Sequence, residues 1–60
     1  MSSYRVYWLD HKNRITRGEW IEADDDDDAH RRAVELCQEG DADRIQVWQA
    51  ARPVDDVDCR

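Results

Sequence analysis

The chain is poor in the residues that build most small functional sites. Its 60 residues include two glycines, one proline, two cysteines and one lysine. With only Gly18 and Gly40, no glycine-rich phosphate loop can form. No window of 18 apolar residues exists, so no segment is suited to cross a bilayer as a helix. The longest uncharged apolar run is Val6-Tyr7-Trp8-Leu9, the length of one strand. No basic stretch followed by an apolar run opens the chain, so no secretory signal is read. Neither His11 nor His30 has a serine or cysteine beside it, and no third ligand stands at a metal spacing. Solvated histidines are the plain reading. No paired-carboxylate or nucleophile–base site emerges, and so short a chain rarely encloses a cleft. The expectation is a protein that is not an enzyme, with no cofactor and no bound metal.

What is abundant is charge, chiefly acidic. Fifteen acidic and nine basic side chains give a formal charge of -6. Phosphate-backbone binding depends on Lys and Arg, so direct nucleic-acid binding is not expected. The length allows one domain. A single core in a chain this small rarely supplies more than roughly 3–5 kcal/mol. The two cysteines do not read as a disulfide framework. Cys37 falls in a helical pattern and Cys59 in a polar tail, and their spacing fits no zinc motif. The expectation is two reduced thiols and a cytoplasmic protein, with Cys37 a small buried residue and Cys59 exposed. Without staples, self-association becomes the open question.

Residues Tyr4 to Asp10 are aromatic and β-branched, and read as a strand. Asn13 suits the left-handed position of a tight turn. Ile15 to Ala23 reads as a second strand, with Gly18 marking a bulge or close approach. Ala29, Ala33, Leu36 and Cys37 share one helical face, and Gly40 stands where a C′ glycine would, so the helix runs from about Asp26 to Glu39. Arg44 to Ala51 reads as a third strand, closed by Pro53. The implied fold is α+β: a small ββαβ domain over residues 1–54. Its mixed three-stranded sheet, of order 2-1-3, carries one helix on one face. Residues 55–60 read as an acidic, disordered tail.

Tyr4-Arg5-Val6-Tyr7-Trp8-Leu9-Asp10, Arg14-Ile15, Ile21 to Asp26, and Val47-Trp48-Gln49 with Arg52 resemble a group of small uncharacterised bacterial proteins. Their pattern has a YxxYFLD-like first strand and an LWxGxR-like last strand. The resemblance spans residues 4 to 54 and implies a ββαβ fold with no known activity. This chain departs from it at Ala50, where the pattern has glycine.

The five aspartates Asp24 to Asp28 admit two readings. Asp24, Asp26, Asp28 and Glu35 match calcium-loop positions 1, 3, 5 and 12. Ala29, however, stands where the sharp turn needs glycine, the preceding segment reads as a strand, and a helix over residues 29–36 carries Glu35 away from the aspartates. The plainer reading is helix capping and favourable interaction with the helix dipole. Charge is also segregated. Residues 1–18 carry four basic groups and one acidic; residues 19–28 carry seven acidic and none basic. The basic hairpin tip, Lys12, Arg14 and Arg17, can meet an acidic surface or simply be solvated.

The three tryptophans are the most informative feature. A hairpin register with Leu9 opposite Ile15 places Tyr4 opposite Trp20 and Trp8 opposite Thr16. Leu9, Ile15, Ile21, Ile45 and Val47 then face the helix, and Tyr4, Trp8, Trp20 and Trp48 gather on the uncovered side. Such a patch, several hundred Å² in scale, marks an interaction site. The competing reading is a bulge at Gly18 that flips parity and sends some rings beneath Ala29 and Ala33. The leading functional expectation is a non-catalytic interaction module that forms a homodimer or binds an unidentified protein. Its contact residues would be Tyr4, Trp8, Trp20, Trp48 and Arg52, at the aromatic face or at the edge of strand two or three. The alternatives are an acidic decoy of nucleic acid on a basic protein surface, and a weak divalent-cation site at the aspartate run.

Overall fold

The structure is a computed structural model that describes residues 2–40 and 42–59. Met1, the loop residue Asp41 and the last tail residue Arg60, all covered by the expectations above, lie outside the described residues. The elements are β1 (Ser2–Leu9), β2 (Ile15–Ala23), α1 (Asp26–Glu39), β3 (Arg44–Gln49) and β4 (Arg52–Asp58). The sheet has order β2-β1-β3-β4 and every neighbouring pair is antiparallel. The α+β class, the single helix and the 2-1-3 order agree with the sequence. The mixed three-stranded sheet does not: every pairing is antiparallel, and a fourth strand pairs with β3.

That fourth strand takes in Pro53, read as closing the third strand, and Asp55 to Asp58, read as part of a disordered tail. Proline in a strand is tolerated where its missing N–H faces away from the ladder, and β4 is an outer strand. Val54 and Val57 pack against the core. Cys59, beyond β4, forms a disulfide with Cys37 of α1, with Cα atoms 5.2 Å apart. The expectation of two reduced thiols is therefore overturned, and with it the ground for a cytoplasmic setting, since disulfides persist in oxidising compartments. Cys37 is only partly buried, and its partner makes it a staple between helix and final strand.

Two turns position the strands. Between β1 and β2, the Asp10 carboxylate accepts from the backbone N–H groups of Lys12 (2.8 Å) and Arg14 (3.0 Å). Asn13 takes φ 61°, the left-handed conformation its side chain tolerates. Between β3 and β4, Gln49 pairs with Arg52, leaving Ala50-Ala51 as a two-residue loop. Ala50 has φ 54° at the first central position, where a hairpin turn favours glycine. The turn forms despite the alanine. Gly40 behaves otherwise: it follows the helix as expected but is extended, φ -120°, so no left-handed cap is made.

The core lies on one side of the sheet. Tyr4, Val6 and Trp8 of β1, Ala23 of β2, and Ile45 and Val47 of β3 pack with Ala29 and Ala33 of α1, all of them buried. The helix presents alanine at its closest points, which leaves room for the Tyr4 and Trp8 rings. Gly18 is not the bulge. The register shifts between Trp8 and Leu9, so that Leu9 faces Ile15, Trp8 faces Arg17, and Thr16 is the extra residue. Its hydroxyl donates to the Trp8 carbonyl oxygen (3.3 Å). A second shift, between Val47 and Trp48, leaves Val54 as the extra residue in β4.

Two outcomes follow. Reducing the Cys37–Cys59 bond, which spans 22 residues, should lower the unfolding free energy by about 3 kcal/mol. Urea denaturation with and without reductant reads this, and β4 amides should be the first to gain hydrogen exchange. Ala50→Gly should raise stability by about 0.5–1 kcal/mol, because it removes a left-handed alanine at a small cost in unfolded-state entropy. The same denaturation curves measure it.

Candidate functional site: the uncovered sheet face

The bulge at Thr16 decides which aromatics reach the uncovered face. Strand alternation sends Tyr4 and Trp8 toward the helix, where they are 2% and 7% exposed. Both were expected on the open side; both belong to the core. Leu9 is buried too but stands apart from the main core cluster, and Ile15 is exposed, so neither covers the helix stripe. Ile21, Ile45 and Val47 do pack on the helix side.

What remains opposite the helix is a set of cross-strand rows. In the first, Trp20, Arg5, Trp48 and Pro53 lie side by side on β2, β1, β3 and β4. In the second, Gly18, Tyr7, Gln46 and Asp56 follow the same order. The Arg5 guanidinium lies 4.9 Å from the Trp20 ring centroid and 5.5 Å from that of Tyr7. Its charge is held between two π faces, a contact worth roughly 0.5–1 kcal/mol at an exposed site. Arg5 Nε is buried without a hydrogen-bond partner among the described residues. Gly18 has a reason here: a Cβ would come within 3.2 Å of the Tyr7 ring, which lies across the gap glycine leaves. Trp48 Nε1 donates to Gln46 Oε1 (3.3 Å), fixing the indole across β3.

Two shallow grooves flank Trp48. One, of about 250 Å³, is lined by Gln46, Trp48, Pro53, Val54, Asp55 and Asp56. The other, of about 270 Å³, is lined by Tyr7, Ile15, Gln46, Trp48 and Ala50. Trp20 is 64% exposed and Ile15 58%. Of the five residues singled out from the sequence, the structure keeps Trp20 and Trp48 on this face. Arg5, Tyr7, Gln46 and Pro53, not singled out before, complete it. That Arg5 shares a face with Tyr7, and Gln46 with Trp48, was readable within each strand; that the two pairs lie on one side needed the β1–β3 register, and Pro53 needed β4.

Arg52 belongs to a different assembly. It donates to both carboxylate oxygens of Asp26 (3.1 and 3.2 Å), and Asp26 also accepts from the Tyr4 hydroxyl (2.9 Å). This network ties β1, α1 and β4 together at the helix N-terminus. The hydrogen bond from Arg52 and that from Tyr4 hold the Asp26 carboxyl below its usual range. Burial, and then the bond to Asp26, push the Tyr4 hydroxyl up.

Asp25 and Asp28 are also engaged. Asp25 caps the helix by accepting from the Asp28 N–H (2.8 Å), and Asp28 accepts from the Asp24 N–H (3.0 Å) while lying 3.5 Å from the Arg32 guanidinium. These are the capping contacts the plainer reading anticipated. Among the described residues, no group of three or more His, Cys, Asp or Glu is placed to hold a metal ion. In the tail, Arg44 lies 3.4 Å from Asp56 and 3.9 Å from Asp58. His30, read as solvated, meets the Asp55 carboxylate through Nδ1, while His11 is exposed.

Comparison of the chain with protein-family models, with curated proteins and with solved structures found no match.

Since the folded Asp26 favours its ionised form, its contribution is complete above the ordinary carboxylate pKa and vanishes as pH falls through the depressed value. Thermal denaturation from about pH 5 downward should show the wild type losing stability below about pH 4. Asp26→Asn should lose less over that range, and Asp10 and Asp28, whose carboxyls are also lowered, should supply the remaining acid dependence.

Proposed function

We propose that this chain is a small non-catalytic protein-interaction module that self-associates through its uncovered sheet face or the adjoining strand edge. The supporting observation is the row Trp20–Arg5–Trp48–Pro53, in which a largely exposed indole sits beside a guanidinium whose buried Nε has no acceptor among the described residues. Tryptophan and arginine are the side chains that most often anchor interfaces, because each removes a large area from water and still offers a donor. A contiguous patch of this kind gains by being covered, and the helix already lies on the opposite side.

The acidic-decoy reading draws less support. The tail carboxylates Asp55, Asp56 and Asp58 and the aspartates Asp26 and Asp28 each face a basic partner within the chain. Their field is partly neutralised where a decoy would present it to a basic protein.

Sedimentation of the intact, oxidised chain from micromolar to millimolar concentration should show reversible association. Trp20→Ala should weaken that association by at least about tenfold, an effect typical of an interface anchor, while leaving the thermal midpoint nearly unchanged. A wild-type chain that stays monomeric throughout the range contradicts the proposal.

A further inference from the structure

We infer that two copies of the chain pair through their β2 strands, antiparallel and centred on Gly18, to make one continuous eight-stranded sheet. The inference rests on the self-association reading above and specifies its edge, register and symmetry.

The sheet has two edges, and they differ in kind. β4 carries Pro53, an extra residue at Val54, and the acidic Asp55, Asp56 and Asp58. Proline withholds a donor, the bulge breaks the ladder, and two such acidic strands repel each other. β2 has nine residues, no proline, and six consecutive exposed positions from Ile15 to Trp20. Its outer backbone groups are unpaired within the sheet order. Strand three, the other edge considered from sequence, is interior because β4 covers it.

The sequence of β2 and its approach is self-complementary about Gly18. Arg17 and Glu19 flank it, and Arg14 and Glu22 stand four residues away on either side. In an antiparallel pair centred on Gly18, Arg17 of one copy faces Glu19 of the other, twice by symmetry. Within one chain Arg17 already bonds Glu19 at 2.7 Å, so the dimer closes a ring of alternating charges. Three other arrangements fail on sign. Centring on Arg17 or on Glu19 sets like charges opposite, and a parallel in-register pair does so at every charged position. Opposed charges directly across a ladder fix register more than they add affinity.

The bulge places the apolar groups to match. Among the described residues, Ile15 and Trp20 are the two large hydrophobics left exposed, and both lie on the uncovered face, one on each side of Gly18. The Gly18-centred register sets Trp20 of each copy opposite Thr16 of the other, next to Ile15. A two-fold axis normal to the sheet keeps both helices on one side and joins the two aromatic faces on the other. This is an isologous contact that closes at two copies.

Sedimentation of charge variants tests it. Arg17→Glu and Glu19→Arg should each associate at least about tenfold more weakly than wild type. The double variant R17E/E19R should associate as wild type does. An equimolar mixture of the two single variants should form a heterodimer, since one strand then carries two acids and the other two bases. Arg17 also stacks on the Trp8 ring at 5.0 Å, so circular dichroism accompanies each variant, and Glu19→Arg stands as the test free of that contact. Wild-type dimers that both single variants leave intact would overturn this register while keeping self-association. A strictly monomeric wild type would overturn both.

Discussion

One helix can cover one side of a sheet, and the described residues form one helix. Everything else follows from which side chains the strands send beneath it. The sorting is done by a single extra residue, Thr16, which lets Ile15 pair with Leu9 while Trp8 pairs with Arg17. Past that point β1 turns Tyr4, Val6 and Trp8 inward, and β3 answers with Ile45 and Val47. The helix meets them with Ala29 and Ala33, whose small size is what allows two large rings in so small a core. Arg5, Tyr7, Trp20 and Trp48 are left outside by the same alternation.

A core of this size needs help, and the chain supplies it at the helix ends. At the N-terminal end, Asp26 receives Tyr4 and Arg52 while Asp25 caps the first turn. Toward the other end, Cys37 is bonded to Cys59. Both devices hold β4, the one strand from which no residue is buried in the main cluster. The acidic tail is thus converted from a repelling segment into a structural one by Arg44, Arg52, His30 and a disulfide. Without β4, the outer side of β3 would be open, and Trp48 would lack its Pro53 neighbour.

Much of this was legible in the chain. The helix bounds, the Asn13 turn, the first hairpin and the 2-1-3 order came from periodicity and turn chemistry, which are local. What failed was non-local or lay against propensity. The parities of β1 and β3 were legible, but that of β2 was not, because the bulge sets Ile15 on the side opposite Ile21; joining the strands needs the register, and a bulge is one residue with no composition signal of its own. Gly18 drew attention as a bulge candidate, yet its lack of a side chain serves the Tyr7 ring instead. β4 was missed because proline and aspartate are poor strand formers, and its partners lie 3 to 26 residues away. The disulfide was missed because a cysteine in a polar tail has no apparent reason to approach a helix until β4 brings it there.

The asymmetry of the two sheet edges follows from this division of labour. The β4 edge is stabilised by charges drawn inward to the helix and β3, and those charges, with Pro53, close it to further pairing. The β2 edge has no such duty. It touches the helix at Ile21 and Ala23 and is otherwise exposed, with a glycine at its centre and opposite charges on either side. A solitary edge strand is ordinarily defended by like charge or a break in the ladder near its middle. In β2 the break comes at one end, at Thr16, and the charges change sign about the middle. That pattern discourages most partners, whose charges would fall in the wrong order, and favours a strand of the same sequence running the other way.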